Sequence, residues 1–159
     1  MNLTSPRALL AGMAGLSLLA VATALYTQYA WDMQPCAWCV LQRLVFVAVA
    51  AAALLGLAMP GAIGRRGGAA LAMVLADLGL AAALWQHFVA NRSASCNMSL
   101  ADKVMGATGL DRTVPEVFAA YASCAEAKVD LAGLPYEWWS AALFILLSLA
   151  ALRVVLRPA

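Results

Sequence analysis

The sequence predicts an all-α membrane protein, a four-transmembrane-helix bundle with both termini cytoplasmic. Three observations carry this reading: an apolar composition, four long apolar stretches, and an uneven placement of basic residues. Of 159 residues, 65% are hydrophobic and 11% charged, whereas roughly a quarter are charged in a soluble domain. Lipid is the solvent such a chain requires. Four spans of about 20 residues each consume roughly half its length, leaving a single membrane domain over 1–159 and no room for a separate soluble one. A net charge of +2 gives no electrostatic footprint for nucleic acid.

The first span, about 8–26, is the uncharged run from Ala8 to Tyr26. Its rival reading is a cleaved signal peptide, since Ala22-Thr23-Ala24 resembles a cleavage site. The run is longer than the usual apolar core of such a peptide, and Ala11 and Gly15 have the small-xxx-small spacing of a packing seam, so a retained helix is expected. The second span, about 41–59, contains the apolar run Leu44 to Met59 that follows Arg43. The third, about 69–89, is interrupted only by Asp77, and the fourth, about 138–155, is apolar until Arg153. All four are expected to be helices, because lipid offers no partner to open backbone groups.

The turn Pro60 to Gly68 contains Arg65 and Arg66 and no acid. Arg7, Arg153 and Arg157 fall on the same side of the membrane as that turn, and every acid except Asp77 falls on the other. Basic residues favour the cytoplasmic side. Both termini are therefore expected there, with loops over about 27–38 and 90–137 facing outward. Trp31, Trp85, Trp138 and Trp139 mark the outer interface, where amphipathic rings prefer to sit.

Cys36, Cys39, Cys96 and Cys124 all lie in or beside the outward loops. Two structural bridges bracing those loops would be the plain reading in an oxidising compartment. The spacing of Cys36-Ala37-Trp38-Cys39 points elsewhere. A two-residue gap closes a small ring that constrains the unfolded chain little, and Cys39 falls near a helix N-terminus, which favours a thiolate. Arg43 follows one turn deeper on the same helical face. Burying it costs about 2.5–3.5 kcal/mol at mid-span, so it either snorkels to the interface or serves a purpose, holding Cys39 as thiolate and donating to a quinone carbonyl. Cys96 and Cys124 are far apart in a polar loop, which suits a mobile bridge accessible to an external protein. They lack the close spacing of structural zinc ligands, and no metal is expected. Between them, Thr113-Val114-Pro115-Glu116 has the form of a capping box. Val114, Val117, Phe118 and Tyr121 follow at helical spacing, predicting a short amphipathic helix on the membrane surface.

The four spans together with the segments QPCAWCVLQR, SASCNM, VPEVFAAYASCAE and DLAGLPYEWW resemble the bacterial disulfide bond formation protein B family, DsbB. Its members are inner-membrane thiol:quinone oxidoreductases that reoxidise the periplasmic dithiol oxidase DsbA. The resemblance implies an inner-membrane location with the active site on the periplasmic side, a DsbA-like thioredoxin-fold partner, and ubiquinone or menaquinone as electron acceptor. It makes Cys36 and Cys39 the quinone-linked pair and Cys96 and Cys124 the partner-facing pair. The partner's thiolate is then expected to attack Cys96 and displace Cys124, which exchanges with Cys36 and leaves Cys39 to reduce quinone. Arg43 matches the family's quinone-site arginine. His87 matches in rough position a histidine at the outer end of the third span, so the resemblance adds it to Arg43 and Cys39 as an expected quinone-binding residue; the alternative is an interfacial histidine without chemistry. Gln42 stands where some relatives carry an acid, so an acid is not essential there. Asp77 has no family role and is expected to be protonated and hydrogen-bonded. Two other functional classes fit the same residues: a quinone-linked enzyme similar to vitamin K epoxide reductase, and a non-enzymatic scaffold with structural disulfides.

Overall fold

A computed structural model describes residues 5–92 and 98–157. Four long helices are apolar enough to cross a membrane: α1 (Pro6–Trp31), α2 (Ala37–Ala58), α3 (Gly61–Phe88) and, after three short helices and a hairpin, α7 (Tyr136–Leu156). Each sequential pair runs up and down, and α7 closes the ring by packing on both α3 and α1. The start of α1 and the end of α7 consequently lie at the same end of the bundle as the α2–α3 turn, where an Arg66 guanidinium nitrogen donates to the Arg157 carbonyl.

Local chemistry sets the helix ends. Ser5 caps α1 by accepting from the Ala8 N–H at 3.2 Å, with Pro6 in the first turn, where its missing N–H costs nothing. The turn expected over Pro60 to Gly68 is shorter in the structure. Helix α2 ends at Ala58 and α3 begins at Gly61, whose φ of 86° is one that glycine adopts without strain. Arg65 and Arg66 therefore lie in the first turns of α3; a low-hydropathy run marks where lipid ends and says nothing about where helix ends.

Small residues and two aromatic rings hold the bundle. Phe46 and Phe144 stack at 4.1 Å with 6° between their planes, and Phe144 lies over Gly79, where a Cβ would sit 2.4 Å from the ring. Nearer the chain termini, α2 and α3 meet backbone to backbone: a Cβ on Gly68 would lie 2.5 Å from the Gly56 Cα. The seam expected from Ala11 and Gly15 is not used, since both residues are exposed. The buried stripe of α1 is Leu10, Met13, Ala14, Ser17 and Val21. Sequence spacing gave the period but left the angular position of the seam open.

The connection from α3 to α7 contains α4 (Leu100–Thr108), α5 (Leu110–Thr113), α6 (Pro115–Phe118) and a hairpin of β1 (Asp130–Leu131) with β2 (Leu134–Pro135). The capping box belongs to α4: the Ser99 side chain accepts from the Asp102 N–H, and Asp102 accepts from the Ser99 N–H. The box expected at Thr113 does not form. Thr113 ends α5 and its hydroxyl turns back to the Gly109 carbonyl at 3.1 Å, so Val114 takes the cap position of an α6 only four residues long. Helix α4 anchors on the start of α2, with Ala101 beside Cys36 and Trp38, and Met105 beside Val40 and Phe118.

Candidate active site

The site is built where α2 begins. Cys36 occupies the N-cap position and Cys39 the first turn of α2, so both sulfurs lie at the partly positive end of a 22-residue helix. Their Sγ atoms are 3.2 Å apart. Cys36 is fully buried. Cys39 and Cys124 both pack against the buried cluster that contains it, and the Cys124 and Cys39 sulfurs together with burial push the Cys36 thiol up. Three of the four sequence-predicted cysteines are thus in one cluster, with Cys36 buried and the other two packed against it. Cys96 lies outside the described residues.

The segment carrying Cys124 is tethered over this end of the bundle. Tyr121 and Ala122 N–H groups both donate to the Pro35 carbonyl, at 3.0 and 3.3 Å. The Tyr29 hydroxyl donates to the Glu116 carbonyl at 2.7 Å.

Arg43 does not snorkel. It is only 6% exposed and donates to Gln28 Oε1 at 2.7 Å, the Val117 carbonyl at 3.1 Å and the Ala24 carbonyl at 3.3 Å. These bonds tie α1, α2 and α6 together and commit three of the five N–H donors of a guanidinium. Besides Cys36, the Cys39 sulfur is in contact with Gln86 of α3, whose Nε2 donates at 3.2 Å. Gln42 fixes that amide by donating to Gln86 Oε1 at 2.7 Å. An amide oxygen engaged in this way leaves the NH2 end to face the sulfur.

Below these groups lies a cavity of about 470 Å³, within the usual range for a small-molecule site. Cys39, Gln42, Arg43, Gln86, Tyr136 and Glu137 form its polar end. Its apolar wall includes Leu16, Leu19 and Leu146, which are exposed on the outer faces of α1 and α7. The cavity therefore opens sideways toward lipid, with hydrogen-bonding groups at one end and a hydrocarbon shaft at the other. A quinone, with two carbonyl acceptors and an isoprenoid tail, fits this donor set and this shape.

His87 is not in the cavity wall. Its Nδ1 contacts Glu137 Oε1 at 2.8 Å, and Glu137 forms part of the wall. Sequence reasoning did not single out Gln28, Gln86, Tyr136 or Glu137. A signal existed only for Glu137, an acid beside a tryptophan pair at a membrane boundary.

This arrangement defines a class of protein: a multi-pass membrane protein whose thiols gather at one end of a four-helix bundle, above a cavity open to lipid. The profile of the family described as Disulfide bond formation protein DsbB matches residues 6–154. The chain belongs to that family of disulfide-forming membrane proteins. It is 31% identical to disulfide bond formation protein B of Aromatoleum aromaticum, covering 96% of this chain and 94% of that protein. Like-named proteins of Herminiimonas arsenicoxydans (30%, covering 95% and 96%) and Nitrosospira multiformis (32%, covering 94% and 88%) are similarly related.

Proposed function

We propose that the protein is a thiol:quinone oxidoreductase of the bacterial inner membrane. It oxidises a DsbA-like dithiol partner on the periplasmic side and passes the electrons to membrane quinone. The observation that carries this reading is the packing of both Cys39 and Cys124 against the cluster of the buried Cys36: a bracing disulfide needs one partner, whereas an exchanging one needs a third sulfur nearby.

The exchange balances as follows. One partner thiolate attacks Cys96 and releases Cys124 as thiolate. Cys124 attacks Cys36 of the Cys36–Cys39 bridge and releases the Cys39 thiolate. The partner's second thiolate then closes the partner disulfide and frees Cys96, which attacks Cys124 and frees Cys36. Cys36 and Cys39 rejoin by giving up two electrons to the cavity. Bound quinone supplies the two-electron acceptor. Within the chain, the start of α2 and the Gln86 amide stabilise the departing Cys39 thiolate, and Arg43 orients the polar end of the cavity with its remaining donors.

A strong acceptor is required, because the characterised DsbA oxidase is already at about −120 mV. Each ~30 mV in a two-electron couple is worth about 1.4 kcal/mol, so quinone reduction can draw forward an exchange that is uphill among the disulfides.

The purified protein, given a reduced DsbA-type oxidase and decylubiquinone, is expected to oxidise the one and reduce the other in equal amounts. Cys39→Ser abolishes quinone reduction. Arg43→Met leaves the thiol exchange in place and raises the KM for quinone at least tenfold, as expected when a hydrogen bond from a charged donor contributes about 1.5–3 kcal/mol. Turnover that persists in Cys39→Ser would show that the cysteines only brace the loops.

A further inference from the structure

The thiol route delivers electrons without protons. Every sulfur released in the exchange leaves as a thiolate, and the partner's two protons are lost to water outside. Reducing a quinone to quinol consumes two electrons and two protons, so the protons must reach the cavity by another path.

Among the described residues, the cavity wall contains one carboxyl group, that of Glu137. It is 6% exposed, and two donors hold it: His87 Nδ1 from α3 at 2.8 Å and Asn91 Nδ2 at 2.8 Å. Both converge on Oε1, leaving Oε2 without a hydrogen bond among the described residues. His87 is the more accessible partner, at 27% exposed, and its ring packs edge-on against Trp138, one of the tryptophans of the outer interface. An accessible imidazole, a buried carboxyl and the cavity thus form an unbroken sequence from surface to site. The other titratable groups facing the cavity are Arg43 and Cys39 of α2 and Tyr136 of α7. Arginine does not release its proton in this range, the Cys39 sulfur arrives as thiolate, and the Tyr136 hydroxyl is paired with that of Thr27 at 3.3 Å, which leaves Glu137.

We infer that Glu137 is the proton donor of the quinone cavity and that His87, acting through it, is the positioning residue that reloads it from the outer surface. This rests on the proposed quinone reduction. Glu137 releases one proton to each developing quinol oxygen in turn, and His87 returns a proton after each release. Per cycle two protons enter by this path and two leave from the partner's thiols. Imidazole suits the reloading role because its two nitrogens can take up and deliver a proton near neutral pH.

The test uses the full-length protein in detergent and follows two steps separately. Exchange is read as the single-turnover oxidation of a reduced DsbA-type oxidase without quinone. Quinone reduction is read from decylubiquinone absorbance over a pH series. Glu137→Gln keeps an acceptor for His87 and Asn91 but cannot carry a proton. It is expected to exchange at the wild-type rate and to reduce quinone about a hundredfold more slowly, within the usual contribution of a positioned acid. The wild-type rate falls as pH rises, and the Glu137→Gln rate is flat with pH. Glu137→Asp retains a measurable share of the rate, and His87→Ala is slow but restored by added imidazole. A wild-type rate in Glu137→Gln overturns the inference; so does a variant whose KM rises while kcat and the pH profile stay unchanged, since that marks a binding role. Failure of the wild-type protein to reduce quinone while exchange proceeds would instead remove the proposed function itself.

Discussion

The two ends of the bundle are assembled on opposite terms. At the end carrying the chain termini, α2 and α3 touch through glycine backbone, and a Gly68 Cβ would meet Gly56 Cα at 2.5 Å and the Ala52 carbonyl at 2.8 Å. At the other end the same two helices stand apart far enough to admit the Gln42 and Gln86 side chains, joined at 2.7 Å. One end is closed by the absence of side chains and the other is propped open by polar ones. In lipid no hydrophobic force drives helices together, so close packing of small residues and buried hydrogen bonds do that work. Here they are segregated along α2. The glycine end holds the helices in place, which lets the cysteine end keep a cavity without the bundle collapsing into it.

The strongest way to break this contrast is at Gly68. The obstacles facing a new Cβ are backbone atoms, which cannot rotate away. Gly68→Ala is expected to destabilise the protein by about 1–3 kcal/mol, the usual cost of overpacking, and Gly68→Val by more. Thermal unfolding in detergent measures both. An unchanged midpoint for Gly68→Ala would mean that α2 and α3 separate freely at this end, and the proposed division of labour would be wrong.

A smaller effect is expected at the polar end, from Gln86→Leu. The substitution fills similar volume but removes the N–H donated to Cys39 Sγ at 3.2 Å. Hydrogen bonds to charged groups contribute about 1.5–3 kcal/mol, so the Cys39 thiolate should be scarcer and iodoacetamide alkylation at fixed pH about tenfold slower. Gln42→Leu should slow it less, because Gln42 only fixes the rotamer of Gln86. Equal alkylation rates in all three proteins would assign Cys39 reactivity to the helix end alone.

These two sites also show what the sequence could convey. Hydropathy shows the four helices, since insertion into lipid depends on length and composition, and the Cys-x-x-Cys at a span boundary marks where the thiols gather. The rotation of each helix about its axis is another matter. Apolar residues surround α1 on all sides, so nothing distinguished Ala11 and Gly15, which are exposed, from Ala14 and Ser17, which are buried. The contacts that define the site depend on that rotation: Gln86 lies 47 residues from Cys39, and Gln28 reaches Arg43 from another helix. The loop failed for a local reason. Thr113 fits the capping-box pattern, but its hydroxyl is used by the helix it ends.

The smallest effect is expected at Asp77, a charged residue type that belongs to neither end. It lies in the middle of α3, on an exposed face, and accepts a hydrogen bond from the Ser148 hydroxyl of α7 at 2.7 Å. At 1.5 Å per residue it sits about 15 Å along the helix from His87, and it does not line the cavity beside Cys39. An amide oxygen can accept from Ser148 as a carboxyl oxygen does, so Asp77→Asn preserves the link between α3 and α7. Single interhelical hydrogen bonds in membranes average about 0.6 kcal/mol, which sets the scale of any change. Quinone turnover in Asp77→Asn should match wild type, and its unfolding midpoint should shift less than that of Gly68→Ala. A large loss of turnover would mean that a group at mid-membrane communicates with the cysteine end, and the separation of structural from chemical roles along the bundle would have to be abandoned.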